Sequence, residues 1–205
     1  MKRSALKIGF ATYDAAKFAV LHWHYSKSMP SGSSVKFGVW EDGQFKGAVI
    51  YSLGSTPNIN RPYGLEKTEI CELTRVALQK HETAVSRIVA ITLKMLKKHS
   101  PGLKLVISYA DRQRGHEGKI YRAGNWIYEG LFARECGIII KGEMKHRRTL
   151  NSIHGTSNMK WIREHLDPNA RVVNGKGKRK YLMPLDAETR KKVAPMGKPY
   201  PDVGE

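Results

Sequence analysis

Asp111 and Tyr121 are the two residues best placed for chemistry. Asp111 follows the apolar run Leu103–Ala110 and precedes the turn between Gly115 and Gly118. That position sets a carboxylate at the carboxyl edge of a buried strand, where open α/β sheets hold ligands, although an Asp there also serves as a turn or helix cap. Tyr121 stands ten residues on, at the start of the next helical pattern. A carboxylate can accept a proton or orient a nucleophile, and a phenol can protonate a leaving oxygen or sulfur, unless the ring merely packs at a helix–sheet seam. Ser108 and Tyr109 ride the same strand toward the same edge, and Asn125 falls one helical turn beyond Tyr121.

Four further positions carry reactive groups. Arg75 alternates with Leu73 and Ala77 along EICELTRVAL, so if that face is covered its charge needs an anion, from a substrate or from a structural carboxylate of the Glu72 type. His24 and Tyr25 close the first helical pattern, in LHWHYS; His22 and His24 would point about 200° apart on a helix and so cannot share a metal there. His116 is a further candidate ligand. Cys71 and Cys136 are far apart in apolar surroundings, which suits two buried thiols better than a disulfide or a zinc site.

The elements that must position these groups alternate. KIGFAT reads as a strand, followed by a helix capped by Thr12 or Asp14 with Ala15, Phe18, Leu21, His22 and Tyr25 as its apolar stripe. Two apolar runs flank Asp42-Gly43, a hairpin signal, and a polar loop at 54–64 leads to the strand 69–78. Val85, Ile88, Val89, Thr92, Met95 and Leu96 form the clearest helical stripe, closed by Lys97, Lys98, His99 and Pro101-Gly102. The Leu-Val-Ile strand follows, then a helix through IYRAGNWIYEG, a strand at 137–140, a short helix at 157–166, the basic loop VVNGKGKRK and a strand at 181–185. The sum is an α/β chain with an α+β mixed sheet. A core over 1–143 and a basic extension over 144–205, packed on the core and adding a strand, are expected.

Charge limits the partners. The 205 residues hold 36 Lys+Arg against 18 Asp+Glu, a net of +18. Residues 1–140 carry +10 and residues 141–205 carry +8, so the excess is denser in the C-terminal third. Arg147, Arg148, Lys176, Lys178, Arg179 and Lys180 are the candidates for phosphate contact, which would supply salt-sensitive, sequence-independent affinity. No apolar run reaches the length of a membrane span and no leader pattern opens the chain, so a cytoplasmic protein is expected. The oligomeric state is open.

The strand–helix–strand–helix order over 71–130 resembles the GCN5-related acyltransferase core, with IYRAGNWIYEG standing for its Leu-Tyr-x-x-x-Gly-Phe pattern and Tyr121 for its tyrosine. CELTRVAL at 71–78, SRIVAITLKMLKK at 86–98, SYAD at 108–111, GH at 115–116 and IYRAGNWIYEG together resemble the Mom family of phage DNA-modification enzymes, over roughly residues 20–150. The resemblance implies a single GCN5-related N-acetyltransferase-like domain acting on duplex DNA in a bacterial host. Its product would be a carbamoylmethyl group on the exocyclic amine of adenine, which hides sites from restriction enzymes. It implies catalytic roles for Asp111, Tyr121, Arg75 and Ser86. Ser108, Tyr109, Asn125 and Tyr25 would bind substrate. It also implies iron, for which His24 and Asp111 are the candidate ligands.

Coenzyme-A users of this fold read Gln/Arg-x-x-Gly-x-Gly/Ala before the central helix, so that bare backbone amides approach the pyrophosphate. Here the loop is Gln79-Lys80-His81-Glu82-Thr83-Ala84, with Glu82 in place of the central glycine. That disfavours acetyl-CoA and favours glycyl-tRNA, making tRNA a second nucleic-acid partner. The competing readings are a conventional acetyl-CoA-dependent N-acetyltransferase and a DNA-binding protein without catalysis.

Overall fold

A computed structural model describes residues 5–54, 58–132 and 135–201, with 135, 136 and 148 described in their backbone alone. The expectations for the side chains of Cys136 and Arg148 therefore lie outside the described residues. β1 (Leu6–Phe10) leads into α1 (Tyr13–Trp23), whose first turn is capped by Thr12 Oγ1 accepting from the Ala15 amide. β2 (Ser34–Glu41) and β3 (Gln44–Ser52) form the expected hairpin on Asp42-Gly43, both in the left-handed region that an Asp-Gly turn suits. β4 (Ile70–Leu78), α2 (Val85–His99) and β5 (Leu105–Asp111) follow. α3 (Lys119–Ala123), β6 (Ile127–Phe132), β7 (Glu135–Ile140), β8 (Glu143–Lys145), α4 (Arg147–His154), α5 (Met159–His165), β9 (Arg171–Asn174), β10 (Lys178–Pro184) and α6 (Ala187–Val193) complete the order.

The mixed α/β sheet expected from the sequence is observed. Seven strands lie in the order β1-β2-β3-β4-β5-β10-β6, and three more in the order β8-β7-β9. The chain divides into two compact units, one of residues 1–109, 118–130 and 180–205, the other of 110–117 and 131–179. In the first, Tyr63, Leu65, Ile70, Leu105, Ile107, Leu182 and Val193 form one apolar cluster. Each large aliphatic side chain so buried contributes about 1.5–3 kcal/mol, far more than an exposed ion pair, so this cluster holds β4, β5 and β10 together. α2 buries Ile88, Val89, Thr92, Leu93 and Leu96, close to the stripe read from its sequence. Cys71 is buried with its thiol pushed up to about 12, first by burial and then by Glu72, which keeps it protonated. The second unit has its own small core of Ile138, Ile140, Leu150, Ile162 and Ala170. Among the described residues no helix is long and apolar enough to cross a membrane.

Two elements differ from their sequence patterns. α1 packs Ala16, Ala19 and Val20 against Ala48, Ile50 and Ala77, while Phe18, Leu21 and Tyr25 are exposed. Small residues let the helix approach the sheet closely, and the larger rings pack laterally, Phe18 on His22 at 4.1 Å and on Trp23 at 5.3 Å. The helix expected through IYRAGNWIYEG ends after five residues at Gly124, and Asn125 takes φ 56° before the chain straightens into β6. Gly-Asn tolerates this reversal and Ile-Tyr-Glu-Gly-Leu-Phe suits a strand.

Candidate active site where two strands part

β4 and β5 run parallel, but they pair only from Ile70 opposite Leu105 to Glu72 opposite Ile107. Beyond that rung both strands continue, β4 to Leu78 and β5 to Asp111, without pairing each other. β4 is also bulged. Its register with β3 jumps from Ile50–Arg75 to Tyr51–Leu73, leaving Thr74 as the extra residue, its Oγ1 donating to the Ile50 carbonyl at 3.1 Å. The bulge interrupts the simple alternation that groups Arg75 with Leu73.

At the first step past the last rung, Ser108 Oγ donates to the Leu73 carbonyl at 2.9 Å and lies 2.7 Å from Tyr121 Oη. A serine hydroxyl has one proton, so Tyr121 is the donor to Ser108. Tyr121 is buried, stacked on Tyr181 at 4.6 Å and edge-on to Trp126 at 5.0 Å. Burial is the largest influence on its phenol and pushes its pKa up to about 12; the Ser108 bond opposes this, while Tyr181, Tyr25 and Glu72 add to it. Tyr121 is therefore a proton donor at neutral pH. α3 can present it because Gly118 begins that helix at φ 82°, where a side chain would strike the Tyr181 phenol.

Glu72 stands on the last paired rung of β4 and β5, opposite Ile107 and next to Leu73, where the sequence pattern marks it only as a salt-bridge type. Its charge acts on Tyr121, Tyr109 and Arg75, and its carboxylate lies against Gly54, where an added Cβ would come within 2.7 Å of Oε2. The missed signal was a carboxylate on the rung where β4 and β5 part. Tyr109 is half-buried and its phenol is raised, by burial first and then by Glu72 and Glu129. Arg75 finds backbone rather than a free anion: Nε donates to the Ser28 carbonyl at 3.0 Å and Nη1 to the Thr74 carbonyl at 2.8 Å. Burial lowers its pKa, with Tyr25 and Glu72 opposing. Arg75 thus ties the segment after α1 to β4. Tyr25 is exposed there, its ring 4.4 Å from His24.

His24 lies just outside α1 in extended backbone. Its Nδ1 accepts from the Ser26 amide at 3.1 Å, so the neutral ring carries its proton on Nε2 and offers no lone pair there. Among the described residues no group of three or more His, Cys, Asp or Glu gathers to hold a metal. The residues present do not fit the iron set implied by the resemblance.

The remaining candidates are scattered. Ser86 lines a cavity of about 440 Å³ with Ala90, Leu93, Gly124, Trp126 and Met183. Asn125 is exposed and off the helix that was to align it with Tyr121. In the second unit Asp111 Oδ1 accepts from the Gln113 amide at 3.0 Å, the capping role its position allows, and Oδ2 is 3.9 Å from Lys178 Nζ. Arg147 donates to the Ser157 carbonyl at 2.7 Å. Lys176 and Lys178 are exposed, but Arg179 is buried and donates to the Glu117 carbonyl at 3.1 Å. Lys180 is buried in the first unit, 3.2 Å from Glu129 Oε2 and 5.0 Å over the Tyr63 ring. Strand β10 turns these two inward, so neither presents a free charge to phosphate.

Comparison with known proteins matches residues 5–202 to the Mom protein family. The chain belongs to the Mom family. Among Mom relatives, the methylcarbamoylase Mom of Escherichia phage Mu is 26% identical over 175 residues, covering 83% of this chain and 71% of that protein. Solved structures similar to this Mom chain include an acetyltransferase of Bacillus subtilis in complex with CoA, 11% identical with a TM-score of 0.46 over 90% of this chain and 100% of that one. A variant of the spermidine N-acetyltransferase SpeG from Vibrio cholerae is 10% identical, with a TM-score of 0.48 over 92% of this chain and 96% of that one.

Proposed function

We propose that this Mom-family chain is a transferase that modifies the exocyclic amine of adenine in duplex DNA, leaving a carbamoylmethyl group that protects phage DNA in the bacterial host. The relative from phage Mu, named a methylcarbamoylase, supports the class of group transferred. The observation that carries the chemistry is the hydrogen-bond chain from Tyr121 through Ser108 to the Leu73 carbonyl, which orients the Tyr121 hydroxyl where β4 and β5 part. An adenine amine is a weak nucleophile because its lone pair is delocalised into the ring, so a carboxylate must take its proton as the new bond forms. Glu72 is the carboxylate whose charge reaches Tyr121, and Asp111 is the alternative at the end of β5. Tyr121 then turns its proton from Ser108 to the departing oxygen, while Ser108 stays satisfied by Leu73. Arg75 holds the Tyr25 segment in place for the base.

The donor we favour is glycyl-tRNA. Attack of the adenine amine on its ester carbonyl forms an amide and releases the tRNA hydroxyl. The free glycyl amine can then attack ring carbon C6 and expel the amide nitrogen, and the product has the same atoms rearranged as a carbamoylmethyl amine. The exposed Arg171, Lys176 and Lys178 of the second unit are proposed to hold the duplex.

Mass spectrometry of nucleosides from plasmid grown with the protein tests this reading. Wild type should yield deoxyadenosine bearing one carbamoylmethyl group. Tyr121→Phe and Glu72→Gln should reduce its fraction, and Asp111→Ala should distinguish the two candidate bases. A wholly unmodified pool with folded wild-type protein would sink the proposal.

A further inference from the structure

The start of a helix binds phosphate because its first backbone amides have no partner within the helix and point outward. α2 begins at Val85 after the loop 79–84, and its N-cap Ala84 supplies no side-chain oxygen. Two consecutive amides leading into it are nevertheless already taken. Glu41, the last residue of β2, accepts from the Glu82 amide through Oε2 at 2.9 Å and from the Thr83 amide through Oε1 at 2.7 Å. The residue is 3% exposed, and those two amides satisfy its carboxylate where water cannot.

We propose that Glu41 is an internal anion that closes the amide cradle before α2, so that this chain does not hold the diphosphate of a CoA-type donor there. The inference rests on the reading of the chain as an acyl-transferring enzyme and narrows its donor to one without a diphosphate at that place, such as an aminoacyl ester. A diphosphate approaching the start of α2 through the loop meets a carboxylate whose two oxygens already hold the Glu82 and Thr83 amides, and like charges cannot share them. Burial would raise the Glu41 pKa, but hydrogen bonds from Thr83 and Glu82 outweigh it and His81 adds to them, so the carboxylate stays ionised. The Glu82 side chain, itself exposed beside the cradle, adds a second negative charge.

Calorimetric titration of the full chain with CoA, acetyl-CoA and inorganic pyrophosphate tests the closure. Wild type should show no saturable binding of any of them. Glu41→Gln, which keeps the volume and removes the charge, should give saturable binding of CoA and pyrophosphate at least about tenfold tighter than the weakest binding the titration detects, and Glu41→Gln with Glu82→Gly tighter still. Saturable CoA binding by wild type overturns the proposal, as does a folded Glu41→Gln protein with no gain. If the variant fails to fold, amide hydrogen exchange on wild type decides. Glu82 and Thr83 should be protected equally with and without CoA, and further slowing by CoA overturns the closure. Wild type that modifies DNA yet binds CoA would remove this inference alone. Wild type that binds no CoA and modifies no adenine would remove the DNA reading and leave the closure standing.

Discussion

Tyr121 illustrates how one hydroxyl can be both structural and reactive. Its ring is fixed by Tyr181 and Trp126, and only its oxygen meets Ser108. Tyr121→Phe therefore keeps the packing and leaves Ser108 donating to Leu73. We expect a melting temperature close to wild type and a fall in adenine modification of about 10²–10⁴-fold, the range for losing a positioned acid. Ser108→Ala acts differently, because it leaves the Leu73 carbonyl without its donor and the Tyr121 phenol without its acceptor. It should cost about 1–3 kcal/mol of stability in denaturant titration, with the smaller effect on rate. A Tyr121→Phe protein that modifies adenine at the wild-type rate would show that this phenol is not the acid. Tyr121, Ser108 and Tyr109 were legible because a strand end followed by a glycine turn and a helix start is a local pattern. Glu72 was not, since its role depends on which rung the strands stop pairing at, and Glu41 was hidden because its partners are 41 and 42 residues away.

At the scale of elements, hydrophobic period identified α2 and β5 because those segments bury their full faces. It misplaced the contact face of α1, where alanines rather than the largest residues meet the sheet, and it extended α3 past Gly124 because Ile127 and Tyr128 fall at helical spacing while belonging to β6. The shortness of α3 has a consequence for stability. A five-residue helix has little strength of its own, so its start must be held by Gly118, whose left-handed backbone brings the main chain against Tyr181. Gly118→Ala would cost about 1–2 kcal/mol for the backbone alone. It must also displace the Tyr181 ring on which Tyr121 stacks. We expect loss of both thermal stability and modification, whereas Gly115→Ala, with nothing near its Cβ position, should lose stability without loss of rate in the remaining folded protein.

At the scale of the molecule, folding has sorted the charge excess. Stability should be level from about pH 5 to about pH 8 and fall on either side, on the alkaline side because the Cys71 thiol and the Tyr121 phenol are raised by burial and ionise more readily unfolded. The carboxyls of Glu41, Glu69, Asp167 and Asp186 all lie below their ordinary values of 4.5 and 3.8, so they bind fewer protons folded than unfolded. Their contribution is present above those ordinary values and is lost as pH falls through the lowered ones, while the net positive charge only grows.

The same sorting decides which cations face a duplex. Lys180 balances Glu129 and Arg179 bonds the Glu117 carbonyl, so replacing either disrupts an internal bond before it touches any phosphate. Lys176 and Lys178 are exposed in the same stretch, Lys178 with only a loose 3.9 Å approach to Asp111, and offer the cleaner test. Removing one lysine–phosphate pair lowers the slope of log affinity against log salt by roughly 0.9 on duplex DNA. The Lys176→Gln/Lys178→Gln protein should therefore show a slope shallower by about two, with weaker binding to every duplex sequence alike and an unchanged melting temperature. Fluorescence anisotropy over a salt series measures the slope and the affinity together. An unchanged slope would move the duplex to another basic surface, and weakening confined to one DNA sequence would make these lysines base readers rather than holders of the backbone.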